Sequence, residues 1–423
     1  MSEALHQLTA REASRRIRDG RLHPEDLMEA TLARIAELEP RLRAFAWIDA
    51  DAARHAVRTA PPGPLHGLPI GVKDILDTSD MPSGYGSPIW TGWRPRADAA
   101  AVAWTRAAGG VVVGKTVTTE FATRKPGPTR HPANGAHTPG GSSSGSAAGV
   151  AAGFFPLAFG TQTAGSVIRP AAFCGVVGYK PSFGMIPRAG TKIMSDSLDT
   201  VGVLARSVGD CALLAGTVAG CDLGDPEASP KVAPRIGICR SPSWALGDPV
   251  AQDHFAMVGS VLSRAGAVLA ERELPAEYAE LTRAHPVVMN SESARSLGWE
   301  LAHARDHISS ELLERLEFGL RCSASERQAA YAVFGQTQQA FSGVLDGFDV
   351  LVTPSAPGEA PLGLGWTGDP AFNFIWTSLH VPCVSVPAGL GPQGLPLGIQ
   401  IVGRKGDDRA VLAWAQWVAA ALG

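Results

Sequence analysis

From Leu68 onward, short apolar runs alternate with amphipathic stretches, and few architectures absorb that texture. Strands covered on both faces read as continuous apolar runs, whereas packed helices read with a period near 3.6, so the alternation predicts one sheet clothed in helices. The expected strands are Ile70–Lys73, Gly110–Gly114, Leu157–Gly160, Val201–Ala205, Arg235–Cys239, Asp349–Thr353, Cys383–Pro387 and Leu397–Val402. Helices are expected over Ala97–Ala108, Ser146–Ala152, Val208–Ala219, Ala251–Ala265 and Arg409–Ala421, with an all-helical region near 287–347. The expected fold class is α/β, a single large domain over 61–423 with a central mixed β-sheet flanked by helices. Residues 1–60 read as an N-terminal helical arm closed by Pro61-Pro62-Gly63-Pro64. In it, Thr9-Ala10-Arg11-Glu12 fits a capping box, and Leu27, Met28, Thr31, Leu32, Ile35 and Leu38 share one helix face. The mainly helical stretch of about 275–347 is the expected cap over a site.

Charge and composition remove several classes of function. The net charge is −3 and no Lys/Arg run exceeds Arg15-Arg16, so nothing marks a nucleic-acid partner. The longest apolar stretch, Ala147–Phe159, is interrupted by Gly149, Gly153 and Pro156 and is too short to span a bilayer. The first residues lack the apolar core of a signal peptide, and the six cysteines include no CxxC pair that would point to zinc or a disulfide framework. A cytoplasmic protein without a membrane partner is the expectation.

Glycine is concentrated in one place. Residues 135–190 hold 12 Gly in 56 positions, about twice the chain's own average of 48 in 423. Three chemistries compete for this density. The first is phosphate binding, because Gly109–Thr116 matches GxxxxGK(S/T). That motif needs a loop between a strand and a helix; here its middle is Val111-Val112-Val113, a strand, which disfavours a nucleotide at Lys115. The second is a nucleophile elbow at Gly141-Ser142-Ser143-Ser144-Gly145, which must follow a strand directly, whereas residues 131–139 read as loop. It would also need a histidine; His303 and His307 sit four apart on a solvated helix face, leaving His380. The third pairs serines with a lysine. A serine needs a base that accepts its proton near neutral pH, and a desolvated lysine can serve where arginine cannot. Lys73 lies in the apolar run Leu68–Leu76, in a chain that uses 30 Arg but only 7 Lys. From these residues alone it is either such a base or half of an ordinary salt bridge with Asp74 or another carboxylate.

Three motifs in order carry a family resemblance. Gly140–Ser146, Gly160–Pro170 and Phe173–Ser182 together resemble the signature of the amidase signature family, Gly63–Asp74 is similar to its lysine motif, and Pro387–Gly389, Gly394–Gln400 and Val402-Gly403 resemble its C-terminal strands. The similarity runs from about residue 7 to the end. It implies an amidohydrolase that cleaves the C–N bond of a small amide through an acyl-enzyme. Ser166 would be the nucleophile, Ser142 the bridging serine after a cis peptide and Lys73 the base, with the 24-residue spacing of Ser142 and Ser166 in keeping with the family. By the same analogy the backbone N–H groups of Thr163, Ala164, Gly165 and Ser166 form the oxyanion hole, in which one donor typically contributes about 3–4 kcal/mol when tested by removal. The resemblance implies no cofactor and no metal, and a homodimer or a monomer. Alternatives within the family are a carbamate- or urea-type hydrolase and a glutaminase-type subunit of an amidotransferase.

The chain departs from the family pattern just before the nucleophile. Where the family usually has Asp-Thr-Gly-Gly-Ser, this sequence has Gln162-Thr163-Ala164-Gly165-Ser166, and Arg169 follows three residues after the serine rather than two. That placement resembles the malonamidase-like branch and implies that Arg169 grips a substrate carboxylate, since guanidinium and carboxylate pair bidentately. An internal salt bridge is the competing role. Substrate pockets are expected near Tyr85, Lys125–His137, the helical region 287–347 and Phe372–Trp376.

Overall fold

The computed structural model describes residues 4–228 and 232–423, so the first three residues of the N-terminal arm lie outside the described chain. The arm contributes α1 (Ala10–Arg18), α2 (Pro24–Leu42), β1 (Phe45–Ile48) and α3 (Ala50–Thr59). The central part runs β2 (Pro69–Lys73), α4 (Ala100–Ala107), β3 (Val111–Thr116), α5 (Ser144–Ala152), β4 (Leu157–Gln162), α6 (Ile168–Cys174), β5 (Val177–Lys180), β6 (Thr200–Ala205) and α7 (Val208–Ala219). Then come β7 (Arg235–Ile238), α8 (Pro249–Arg264), β8 (Val268–Glu271) and four successive helices, α9 (Leu281–Ser296), α10 (Gly298–His303), α11 (Ser310–Arg321) and α12 (Ala324–Val344). The chain closes with β9 (Val350–Pro354), α13 (Phe374–Ser378), β10 (Cys383–Leu390), β11 (Pro396–Val402) and α14 (Asp408–Leu422).

Among the described residues the strands form one 11-stranded sheet in the order β1-β3-β2-β4-β6-β5-β10-β11-β9-β7-β8. Pairing is parallel at β3-β2-β4 and at β9-β7-β8 and antiparallel elsewhere, so the sheet is mixed, as expected for one α/β domain. All eight expected strands are present with ends displaced by a few residues. Three others escaped the pattern. β1 is a four-residue edge strand within the arm, β8 is an exposed edge, and β5 is a short run whose Gly178 lies directly beneath α6: a Cβ there would stand 2.5 Å from Ala171 Cβ.

The centre of the sheet is held by close backbone approach. β2 and β4 are buried throughout, and α5, a helix of only small residues, packs on them. A Cβ on Gly149 of α5 would lie 2.4 Å from Phe155 Cζ, and one on Gly71 of β2 would lie 2.5 Å from the same atom, so one phenyl ring occupies the space that both glycines leave open. Gly145 brings α5 against the arm and the end of β3: its Cβ would fall 2.1 Å from Ala44 O and 2.4 Å from Val117 N. The helix stops at Gly153, whose φ of +83° is left-handed and suits glycine.

Two glycine substitutions should therefore behave oppositely. Gly145→Ala is expected to destabilise by about 1–3 kcal/mol, the usual cost of overpacking. Gly259→Ala, in α8 with no atom within 4 Å of the added Cβ, should stabilise by about 0.5–1 kcal/mol through helix propensity. Denaturant unfolding of the two variants checks both signs.

Candidate active site

Lys73 is the last residue of β2 and is fully buried. Its Nζ lies 2.7 Å from Ser142 Oγ, 2.7 Å from Thr161 Oγ1 and 3.3 Å from Thr161 O. Burial pushes the amine down to about 7, against the opposing pull of the Asp199 carboxylate. Lys73 forms no ion pair among the described residues, so the salt-bridge reading fails. The reason is strand geometry: successive side chains point to opposite sides, and Asp74 turns away to meet Lys115 at 2.9 Å. That pair also disposes of the phosphate-loop match, because Lys115 is buried inside β3.

Ser142 follows a cis peptide with Gly141 and is buried against Lys73. The elbow reading of this segment fails on context, since coil rather than a strand precedes it and Ser143 turns its hydroxyl inward to Thr161. His303 and His307 are exposed, and His380 is bound to Ser197 O at 2.7 Å and stacked on Phe183.

The turn from β4 into α6 has an uncommon division of its backbone groups. All four carbonyls of Thr163–Ser166 are engaged: Thr163 O accepts from His285 Nε2 (3.0 Å), Ala164 O from Thr377 Oγ1 (2.8 Å), Gly165 O from Arg169 N (2.9 Å) and Ser166 O from Ser143 N (3.3 Å). Among the described residues, none of the four N–H groups of Thr163, Ala164, Gly165 and Ser166 has an acceptor. The next two do, for Val167 N and Ile168 N both donate to Gln162 Oε1, at 2.9 and 3.0 Å. Gln162 then donates through Nε2 to Thr377 Oγ1 at 3.0 Å, the hydroxyl that holds Ala164 O. Thr163 Oγ1 donates to the buried carboxylate of Asp199, which also accepts from Met194 N and Ser195 N. Gly165 cannot be larger, because its Cβ would meet Asn373 Oδ1 at 2.4 Å.

This turn forms the floor of a cavity of about 480 Å³, lined by Ser166 and Arg169 from the body, by α9 and α11 from the helical region, and by residues 366–370. The Ser166 hydroxyl has no hydrogen-bond partner among the described residues. Arg169 is buried, and its Nη2 donates to Gly141 O at 2.7 Å and to Thr367 Oγ1 at 3.3 Å, while Nε and Nη1 have no partner. Burial lowers this guanidinium to about 10. No carboxylate stands at ion-pair distance among the described residues, so the internal salt bridge is absent. Arg124, Arg315 and Arg321 also line this cavity, as do the carboxylates of Glu314 and Asp369. His285 is held neutral, its pKa pushed down to about 4 by burial and the Arg315 charge. Of the expected pocket segments, the helical region and Phe374 line the cavity; Tyr85 is bound to Asp77 instead, and residues 125–137 do not reach it. Sequence reasoning missed Gln162, Asp199, His285 and Thr377.

A family model described as Amidase matches residues 26–412. The chain belongs to the amidase family. One component of the glutamyl-tRNA(Gln) amidotransferase of Anaeromyxobacter sp. (strain K) is 34% identical to this amidase, over 100% of this chain and 98% of that protein. Among solved structures, the crystal structure of an amidase superposes with a TM-score of 0.88 at 30% identity, covering 98% of this chain and 100% of that one. The native peptide amidase of Stenotrophomonas maltophilia gives 0.79 at 28% identity, covering 98% and 97%. The protein is thus an amidohydrolase acting on C–N bonds. Among its described residues no helix is long and apolar enough to cross a membrane.

Gln162→Ala in this amidase strips the acceptor from two buried N–H groups, each costing about 1–3 kcal/mol when left unpaired. Stability in urea should fall accordingly, and amide hydrolysis should fall with it, because the turn carrying Ser166 loses its clamp.

Proposed function

We propose that Ser166 is the nucleophile, Ser142 the proton relay and Lys73 the base of an amidase acting on small amides that carry a carboxylate. The observation that carries this reading is the contact of buried, ion-pair-free Lys73 with Ser142. Uncharged, the amine has two N–H donors for Thr161 O and Oγ1 and one lone pair for the Ser142 hydroxyl. Ser142 passes its proton to Lys73 and takes one from Ser166 as Ser166 Oγ attacks the carbonyl; the link between the two serines closes when substrate is seated, as catalytic hydrogen bonds commonly tighten on binding. The carbonyl oxygen becomes an oxyanion facing the free N–H groups of Thr163–Ser166, which are already oriented and need no reorganisation. Collapse breaks the C–N bond, the relay returns a proton to the leaving amine, and water hydrolyses the acyl-enzyme by the same route.

The carboxylate preference rests on Arg169. Nε and Nη1 are unpartnered in a buried position, a state that a carboxylate oxygen at either nitrogen would relieve with a charge-assisted bond. Arg124, Arg315 and Arg321 add positive charge to the same cavity, which Glu314 and Asp369 offset only in part.

A second reading, a glutaminase component of an amidotransferase, is favoured by the 34% identity with one component of such an enzyme. Hydrolysis of small amides by the isolated chain distinguishes the two.

Three measurements test the proposal. A fluorophosphonate should add its mass to the wild-type protein and not to Ser166→Ala; labelling that survives the substitution would sink the nucleophile assignment. Because the neutral amine is the active form, kcat/KM should rise with pH through a midpoint near 7, and Lys73→Ala should remove turnover at pH 7. Arg169→Ala should lose the preference for carboxylated over neutral amides by about ten-fold or more, the scale of a lost charge-assisted pair.

A further inference from the structure

The cavity is far larger than a small acid amide requires. At about 480 Å³ it falls within the range of about 300–1,000 Å³ that suits ligands of drug size. If Arg169 takes the acyl carboxylate, the acyl chain ends at that guanidinium, and the remaining volume falls to the amine side of the scissile bond. The walls of that volume are mixed, but they include a set of apolar and aromatic side chains. α9 presents Pro286 and Met289 beside Asn290 and Ser293, α11 presents Phe318 beside Glu314, Arg315 and Arg321, and Phe374 and Trp366 also line it.

Two of these side chains are exposed in a way that packing alone does not explain. Trp366 is 53% exposed and Phe318 is 39% exposed, and both border the cavity. Large apolar groups gathered at the rim of a pocket mark a binding surface, whereas a scattered exposed residue does not. Trp366 is also tied to the reacting centre. Its neighbour Thr367 accepts from Arg169, Thr367 Cγ2 would lie 2.9 Å from a Cβ on Gly141, and a Cβ on Gly368 would lie 3.4 Å from Arg169 Cδ. The loop that displays the indole therefore rests on the peptide before Ser142 and on the stem of Arg169. Methionine and aromatic walls adapt to planar groups, which they meet with large buried area.

We propose that this amidase acts on secondary amides whose amine portion is aromatic, with Trp366 and Phe318 forming the specificity-determining mouth that receives the ring. The inference rests on the assignment of Arg169 to the acyl carboxylate. Its test compares the N-benzyl and N-(2-methoxyethyl) monoamides of one short dicarboxylic acid, which share the acyl group and release amines of similar basicity. Wild-type kcat/KM should favour the N-benzyl amide by about ten-fold or more, and Trp366→Ala and Phe318→Ala should each erase most of that ratio, with Trp366→Phe keeping it. Equal rates for the two amides, or variants that slow both equally, overturn the proposal. The ratio is blind to Arg169. Failure of the carboxylate reading appears separately, as equal turnover of carboxylated and neutral N-benzyl amides, and failure of the nucleophile assignment appears as labelling that persists in Ser166→Ala.

Discussion

Lys73 lies at the end of a strand buried on both faces, and much of the surrounding architecture serves to keep water and carboxylates away from its amine. Flanking β3 and β4 exclude solvent from the sides, α5 covers the face, and Asp74 is drawn off to Lys115. Desolvation penalises the ammonium, and the one carboxylate that pulls the other way, Asp199, is itself occupied by Thr163 and two backbone donors. An exposed lysine at this position would stay charged at neutral pH and have no lone pair to offer. In the proposed mechanism the buried strand is thus what allows a lysine to take the part that other hydrolases give to histidine.

The second constraint is the split of backbone groups between Gln162 and Ser166. Engaging every carbonyl while leaving every N–H free turns a loop into a set of fixed dipoles aimed one way. The partners come from distant parts of the chain: His285 from the helical region, Thr377 from α13 and Ser143 from the start of α5. Gln162 differs from the family's acid at this place, and the amide does what a carboxylate could not. It accepts two N–H bonds and still donates to Thr377, so both sides of the turn are tied by one neutral group.

These two constraints were unequally visible in the sequence. The mixed sheet and its eight principal strands were legible because buried strands leave apolar runs. β1, β5 and β8 were not, being short, glycine-containing or exposed. Lys73, Ser142 and Ser166 could be picked out by their motifs, yet the choice between base and salt bridge for Lys73 needed the direction of Asp74. His285 and Thr377 gave no local signal, because their role is set by contacts 122 and 213 residues away along the chain. The fate of Arg169 was likewise undecidable from spacing, since an ion pair is a fact of three-dimensional neighbourhood.

The Phe155 ring, seated where both Gly71 and Gly149 lack side chains, has a mechanical meaning as well as a packing one. It is the gauge block that sets the gap between the strand ending in Lys73 and the helix beginning just after Ser142. A lineage that altered any one of these three positions would have to alter the others in step. Otherwise a change with no atom near the substrate would surface as a slower reaction as well as a looser fold.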